Sequence, residues 1–388
     1  MKLAAKLNES GQSAWLDLIG RKLIRSGELK RMIEQDGVRG VTANPAIFEK
    51  AIVETDEYDH ALKKLIEQGK PPMEIYEAIA IEDVRGAADV FRPFFDRLQG
   101  GDGFVSLEVS PYIARDTSAT LAEAKRFWKA VDRPNVFIKI PANPEGIPAI
   151  RQATAAGISV NITLIFSVRV YEQVIDAYLS GLEDRVAQGL PISQIHSVAS
   201  FFVSRVDTAV DKLLEEKGAK ELQGRIAIAN AVEAYQRFLA SIDTPRWKGL
   251  EAKGATRQRP LWASTGTKNK AYSDVMYVEP LIGQDTVNTM PLQTLRAFND
   301  HGKVEGETIL GNVEDARAQL ALLQGLGIDL EAVCRKLTDE GLDLFSKALD
   351  GLLHAISARA AAQGFARKAQ LRENLGSRKD EAAEGLKK

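Results

Sequence analysis

Asn135-Val136-Phe137-Ile138-Lys139-Ile140-Pro141-Ala142-Asn143 reads as a β-strand, because Val, Phe and Ile dominate it and Pro141 closes it. Its apolar residues fall on both faces, as in a strand buried in a parallel sheet. Lys139 does not fit that run. Burial among greasy neighbours favours the uncharged amine over the ammonium. An uncharged amine is a nucleophile that condenses with carbonyls to form Schiff bases, which supplies an electron sink for carbon–carbon bond chemistry. The plainer alternative is a lysine at a strand end with its stem packed and its head in water. The stretch by itself leaves both open.

At 388 residues and 45% hydrophobic, the chain can bury a large core. Length suggests two or three domains, although one α/β barrel with insertions takes the same length. Basic and acidic residues number 51 and 53, for a formal charge of -2, so no overall field gathers nucleic acid or an anionic membrane, and neither is expected as a partner. Any anion must be held by a local site. A single cysteine, Cys334, in an apolar helical context points to a buried structural thiol and a reducing compartment. The four histidines are scattered without metal-ligand spacing. Met1 to Gly11 has no apolar core, and no run approaches the ~18 apolar residues of a membrane helix, so the chain reads as soluble and cytoplasmic.

Seven more strand-like segments accompany the lysine strand: 13–19, 37–45, 104–111, 159–166, 197–203, 260–266 and 274–282 (DVMYVEPLI). In 104–111, Val105, Leu107 and Val109 alternate with Ser106, Glu108 and Ser110. In 159–166, Asn161 and Thr163 oppose Val160, Ile162 and Leu164. Helical stretches lie between the strands: 49–98 with Ile75, Ile79, Ile81 and Val84 as apolar candidates, a helix opened by a Thr120–Glu123 capping box, one around 171–182, and 208–240. Eight strands alternating with helices, with no hairpin signal, predict an α/β (β/α)8 TIM barrel with additional terminal helices; an open doubly wound sheet is the runner-up. Asp17, Asn44, Glu108, Lys139, Asn161 with Thr163, Ser200 and Ser264 fall late in successive strands. A barrel brings such ends to one mouth, whereas an open sheet strings them along an edge. The expected organisation is a catalytic barrel over 1–310, C-terminal helices packed on it over 311–376, with Leu342, Phe345, Leu349, Leu352 and Ile356 at helix spacing, and a disordered tail over 377–388.

The stretches GVTANPAIF (40–48), VSLEVSP (105–111), NVFIKIPAN (135–143), SVNITLIFS (159–167), SVASFFVSRVD (197–207), WASTGTKN (262–269) and DTVNTMP (285–291) resemble, in order, those of the transaldolases of the pentose phosphate pathway, in their longer subfamily. The resemblance implies roles position by position. Lys139 is the Schiff-base lysine and Asp17 the base that takes the proton of the ketose C4 hydroxyl, while Glu108 and Thr163 hold the catalytic water. Asn44, Asn161 and Ser200 contact the bound dihydroxyacetone unit, and Phe202 walls the pocket. Arg205 takes the phosphate, with Ser264 and Lys268 beside it. Plainer readings stand next to these: Asp17 as a helix cap, Glu108 as a buried ion-pair partner of Lys139, the amides and hydroxyls as satisfied core groups, and Phe202 as core.

Three positions depart from the family pattern. Lys268 stands where many relatives have arginine, which replaces a bidentate grip on phosphate by a point charge. Ala43 stands where serine or threonine is usual, and Lys270 where longer relatives often have proline. The implied activity is transfer of a dihydroxyacetone unit from sedoheptulose 7-phosphate to glyceraldehyde 3-phosphate, giving erythrose 4-phosphate and fructose 6-phosphate. It implies sugar-phosphate substrates, no metal or organic cofactor, and a monomer or homodimer. The rivals are a class I aldolase acting on fructose 6-phosphate and a non-catalytic barrel that binds sugar phosphates. The second would need Lys139, Asp17 or Glu108 to be lost, and all three are present.

Overall fold

A computed structural model of the chain describes residues 2–362. Eight parallel strands close into a barrel in chain order: β1 (Gln12–Leu16), β2 (Gly40–Val41), β3 (Phe104–Glu108), β4 (Val136–Pro141), β5 (Val160–Ile165), β6 (Ser197–Phe202), β7 (Gln258–Ala263) and β8 (Thr286–Met290). Closure is made by β1 against β8, in register from Gln12↔Thr286 to Leu16↔Met290. The expected (β/α)8 barrel is thus the fold, and the open sheet is excluded by this last pairing. The described residues contain no helix long and apolar enough to cross a membrane.

The final strand is not where its apolarity suggested. Residues 274–282 form turns and a short 3-10 segment, Glu279–Leu281, and the closing strand is Thr286–Met290. The apolar side chains of the earlier run, Val275, Tyr277, Val278, Leu281 and Ile282, are buried against the outside of the barrel instead. The Leu281 carbonyl accepts from Gln12 Nε2 at 2.6 Å and from Trp262 Nε1 at 3.0 Å, so it serves side chains and not a strand ladder. The 117–131 helix also starts earlier than the capping box implied. Asp116 is its cap, accepting from the Ala119 amide at 3.0 Å, while Glu123 accepts from the Ser110 amide at 2.6 Å and so ties the β3 end to the helix. The stretches 49–98 and 208–240 are each broken: Pro45–Glu54, Asp59–Glu67 and Pro72–Arg97 in the first, Ser204–Glu216 and Ile226–Ile242 in the second.

The inside of the barrel is graded along its axis. At the strands' N-terminal ends Phe104 and Phe137 stack at 4.3 Å between centroids, with Trp15 stacked on Phe137 at 6.2 Å. Gly40 makes room for that indole, since a Cβ there would sit 2.5 Å from the Trp15 ring. Higher up, Asn161 donates to Ser106 Oγ at 3.0 Å and accepts from Ser200 Oγ at 2.7 Å, joining β3, β5 and β6 across the interior. The buried Lys139 and Glu108 lie toward the C-terminal ends.

After β8 the chain continues into Leu292–His301, Val313–Gly325 and Leu330–Ala362. Val313–Gly325 packs on the outside, against Ile226–Ile242. Leu330–Ala362 instead crosses the mouth. It touches the segments after three different strands: Arg359 donates to Asp59 (2.7 Å), Arg115 to Asp339 (2.9 Å), Tyr112 to Asp350, and Ser167 to Glu331 (2.7 Å). Its buried Cys334 donates to the Phe166 carbonyl at 3.2 Å, the structural role its context suggested. The expected tail, 377–388, and the end of the C-terminal unit lie outside the described residues.

Candidate active site

Lys139, the fourth of the six residues of β4, is the only buried lysine among the described residues, at 4% exposure. Its Nζ donates to Glu108 Oε2 on the adjacent strand and to the Ala43 carbonyl, both at 3.3 Å. Register dictates the meeting, because Glu108 and Lys139 are directly paired in the β3–β4 ladder. The contact through Ala43 is made by backbone, so the missing hydroxyl at that position does not remove it. Burial, only partly offset by Lys139 and reinforced by Asp17, pushes the Glu108 carboxyl up from 4.5 to about 7. A carboxyl that titrates near neutrality beside an amine can both give and take protons.

Asp17 follows β1 directly and stands on the same cavity. Burial raises its pKa, against the opposing pull of Lys139, of a 2.6 Å hydrogen bond from the Thr42 hydroxyl and of Lys268. Thr42, directly after β2, is itself 2.8 Å from the hydroxyl of Thr289 in β8, so Thr42 links the Asp17 carboxylate to β8. Both lie in stretches quoted above, but only the adjacency of β8 to β1 reveals their task. Asp17 caps no helix; the following one, Arg21–Arg25, has Gly20 at its N-cap.

The neutral groups divide. Asn44 lines the cavity while its Oδ1 caps Pro45–Glu54, accepting from the Ile47 amide at 3.1 Å. Ser200 lines it too, but Asn161 does not: it lies beside Lys139 in the ladder and engages Ser106 and Ser200. Thr163 is buried on β5, and its hydroxyl has no partner among the described residues.

A cavity of about 130 Å³ opens here, walled by Asp17, Asn44, Lys139, Ser200, Phe202 and Arg205, with Ser264, Lys268 and Phe345 completing the ring. Arg205 is the second residue of Ser204–Glu216, its guanidinium 5.9 Å from the Phe202 ring and without an ion pair among the described residues. Ser264 directly follows β7 in left-handed backbone, φ +54°, and its hydroxyl is 3.0 Å from that of Ser204. Helix N-terminus, arginine and Lys268 converge where an anion would be stabilised. Phe345, from the mouth-crossing helix, has its ring centroid 5.8 Å from Lys139 Nζ. No sequence signal marked it, since it reads as one apolar position among several at helical spacing.

A closed parallel barrel with a buried amine, two carboxyls and an anion-binding corner at the strands' C-terminal ends has the build of a barrel enzyme whose chemistry is done at that mouth. Residues 14–356 match the model of a family described as Transaldolase/Fructose-6-phosphate aldolase. "Transaldolase 2" of Streptomyces coelicolor is 50% identical over 356 residues, covering 91% of this chain and 96% of the relative. "Transaldolase" of Thermobifida fusca is 48% identical over 360 residues (92% and 98%), and that of Trichodesmium erythraeum 44% over 367 residues (91% and 96%). The chain belongs to the transaldolase/fructose-6-phosphate aldolase family.

Proposed function

We propose that this enzyme is a transaldolase that moves a dihydroxyacetone unit from sedoheptulose 7-phosphate to glyceraldehyde 3-phosphate through a Schiff base on Lys139. The observation that carries the reading is the buried Lys139 amine, 3.3 Å from a carboxyl that titrates near neutrality, on the wall of the barrel-mouth cavity. The amine adds to the C2 carbonyl of the ketose. Glu108 protonates the carbinolamine oxygen, which leaves as water that the otherwise unpartnered Thr163 hydroxyl can bind. Asp17 takes the C4 hydroxyl proton, the C3–C4 bond breaks, and its electron pair passes into the iminium to give an enamine and a free aldose phosphate. The enamine then attacks the acceptor aldehyde, and hydrolysis of the new imine frees fructose 6-phosphate and the lysine. Asn44 and Ser200 orient the three-carbon unit, Asn161 acts through Ser200, and Phe202 walls the pocket. Arg205, Ser264 and Lys268 take the phosphate.

In this reading residues 1–310 form the catalytic barrel, and the helix Leu330–Ala362 belongs to the site as its cover. The compartment that best suits a lone buried thiol is the cytoplasm, with the chain a monomer or homodimer. Borohydride reduction in the presence of fructose 6-phosphate tests the chemistry: a three-carbon adduct should be fixed on Lys139. Equal trapping of the Lys139→Ala protein would refute the assignment.

A further inference from the structure

We propose that Phe345, on the helix crossing the barrel mouth, is the specificity-determining residue that keeps the bound three-carbon intermediate from water, and so makes transfer outrun release. The inference rests on the Lys139 Schiff-base reading. Among the described residues, Phe345 is the one wall residue of the catalytic cavity that comes from outside the barrel strands and the segments following them. It is buried, and its ring centroid lies 5.8 Å from Lys139 Nζ. A phenyl ring at that distance favours a cationic iminium weakly through its face and carries no O–H or N–H to give a proton.

The depth of the ring is set one helical turn earlier. At Gly341 an added Cβ would come within 2.8 Å of Leu164 Cδ2, so the missing side chain lets the helix sink onto β5 beside Thr163. Leu164 itself has φ +56° at a register shift of the β5–β6 pairing, which places a backbone irregularity directly under this contact. Hydrogen bonds from Tyr112, Arg115, Ser167 and Arg359 hold the same helix to the segments after β2, β3 and β5.

The competing reaction is simple. Water protonates the enamine carbon, leaving hydroxide and an iminium. Water then adds at C2, the C2–N bond breaks, and dihydroxyacetone leaves with the Lys139 amine restored. Transfer requires the enamine to meet an aldehyde before a proton donor. A ring closing the amine side of the cavity slows the first process without touching the second.

The test uses the full chain and fructose 6-phosphate. Dihydroxyacetone release without acceptor and transfer to erythrose 4-phosphate are measured for the wild type, Phe345→Ala, Phe345→Leu and Gly341→Val. Phe345→Ala should raise the release-to-transfer ratio roughly tenfold, the change that ~1.4 kcal/mol on one barrier produces. Phe345→Leu, which keeps apolar bulk, should stay near wild type. Gly341→Val, which keeps the phenyl ring of Phe345 but crowds Leu164 beneath the helix, should move the ratio in the same direction as the alanine and decides the matter if the alanine variant does not fold. Borohydride trapping separates the two readings. If the wild type gives no adduct on Lys139, the Schiff-base reading fails. If the variants are trapped on Lys139 and their ratio equals that of the wild type, the shielding role is overturned.

Discussion

Glu108 is caught between two opposing effects. Desolvation favours its neutral form, and the ammonium of Lys139 favours the carboxylate; desolvation is the larger, so the carboxyl titrates at about 7. The ion-pair and proton-shuttle readings of this residue therefore describe one arrangement at two moments. The transfer rate should bend near pH 7, and Glu108→Gln should remove that bend while lowering kcat by ~10²–10⁴, as loss of a positioned acid–base group does. A pH–rate profile of the two proteins checks both. Arg205 poses a different problem, since its guanidinium is half-buried without a counter-ion among the described residues and burial lowers its pKa. Arg205→Ala should raise KM for fructose 6-phosphate by roughly 10–100-fold, the loss of one or two charge-assisted bonds. The effect should be much weaker on a ketose lacking the phosphate, as steady-state kinetics with both substrates would reveal.

The connection between β7 and β8 shows what decides whether an apolar run becomes a strand. Tyr277 donates to Asp207 at 2.9 Å and Tyr272 to Asp211 at 2.7 Å, so the run is fastened sideways onto Ser204–Glu216, and Asp207 also caps Ile226–Ile242 through the Ala227 amide at 2.7 Å. None of this is visible in a one-dimensional pattern, because the partners lie 61 and 70 residues away. The true strand, Thr286–Met290, was hidden by its own usefulness: Thr289 faces the cavity, and Asn288 Nδ2 donates to the Tyr277 carbonyl, so its side chains are polar where a buried strand is expected to be apolar. By contrast Lys139, Glu108 and Thr163 could be read directly, because each interrupts a short β-branched run whose boundaries Pro141, Pro111 and Ser159 announce. Phe345 could not, since an aromatic at helix spacing looks the same over a catalytic amine as over any core. Asp207 also has a measurable consequence. Burial lifts its pKa from 3.8 to about 7, so the folded chain holds that proton more tightly than the unfolded one. Its contribution to stability is full below pH 3.8 and lost as pH rises through about 7. Asp207→Asn lacks this titration. Urea midpoints taken at about pH 5 and about pH 8 should therefore shift in favour of the variant at the higher pH, and parallel shifts in both proteins would contradict the assignment.

Across the molecule, stability and chemistry sit at opposite ends of one barrel. The N-terminal end is filled by Trp15, Phe104 and Phe137, with Trp15 Nε1 donating to the buried Asp102 at 2.8 Å, and Arg259 donating to Ser13 in the same layer at 2.6 Å. The C-terminal end is polar, carries Asp17, Glu108 and Lys139, and is covered by a helix whose latches to the barrel are largely exposed pairs, each of which contributes little. Two carboxyls and an amine held out of water cost folding free energy that the aromatic end must offset. Trp15→Ala removes a fully buried indole and leaves Asp102 short of a donor, so it should destabilise the protein by ~3–5 kcal/mol in urea unfolding. Because the indole is separated from Lys139 by the Ser106–Asn161–Ser200 layer, the folded fraction of that variant should still be trapped on Lys139 by borohydride, with a release-to-transfer ratio like that of the wild type. Loss of trapping in a folded Trp15→Ala protein would show that the two ends are coupled, and that the aromatic floor sets the position of the lysine as well as the stability of the ring.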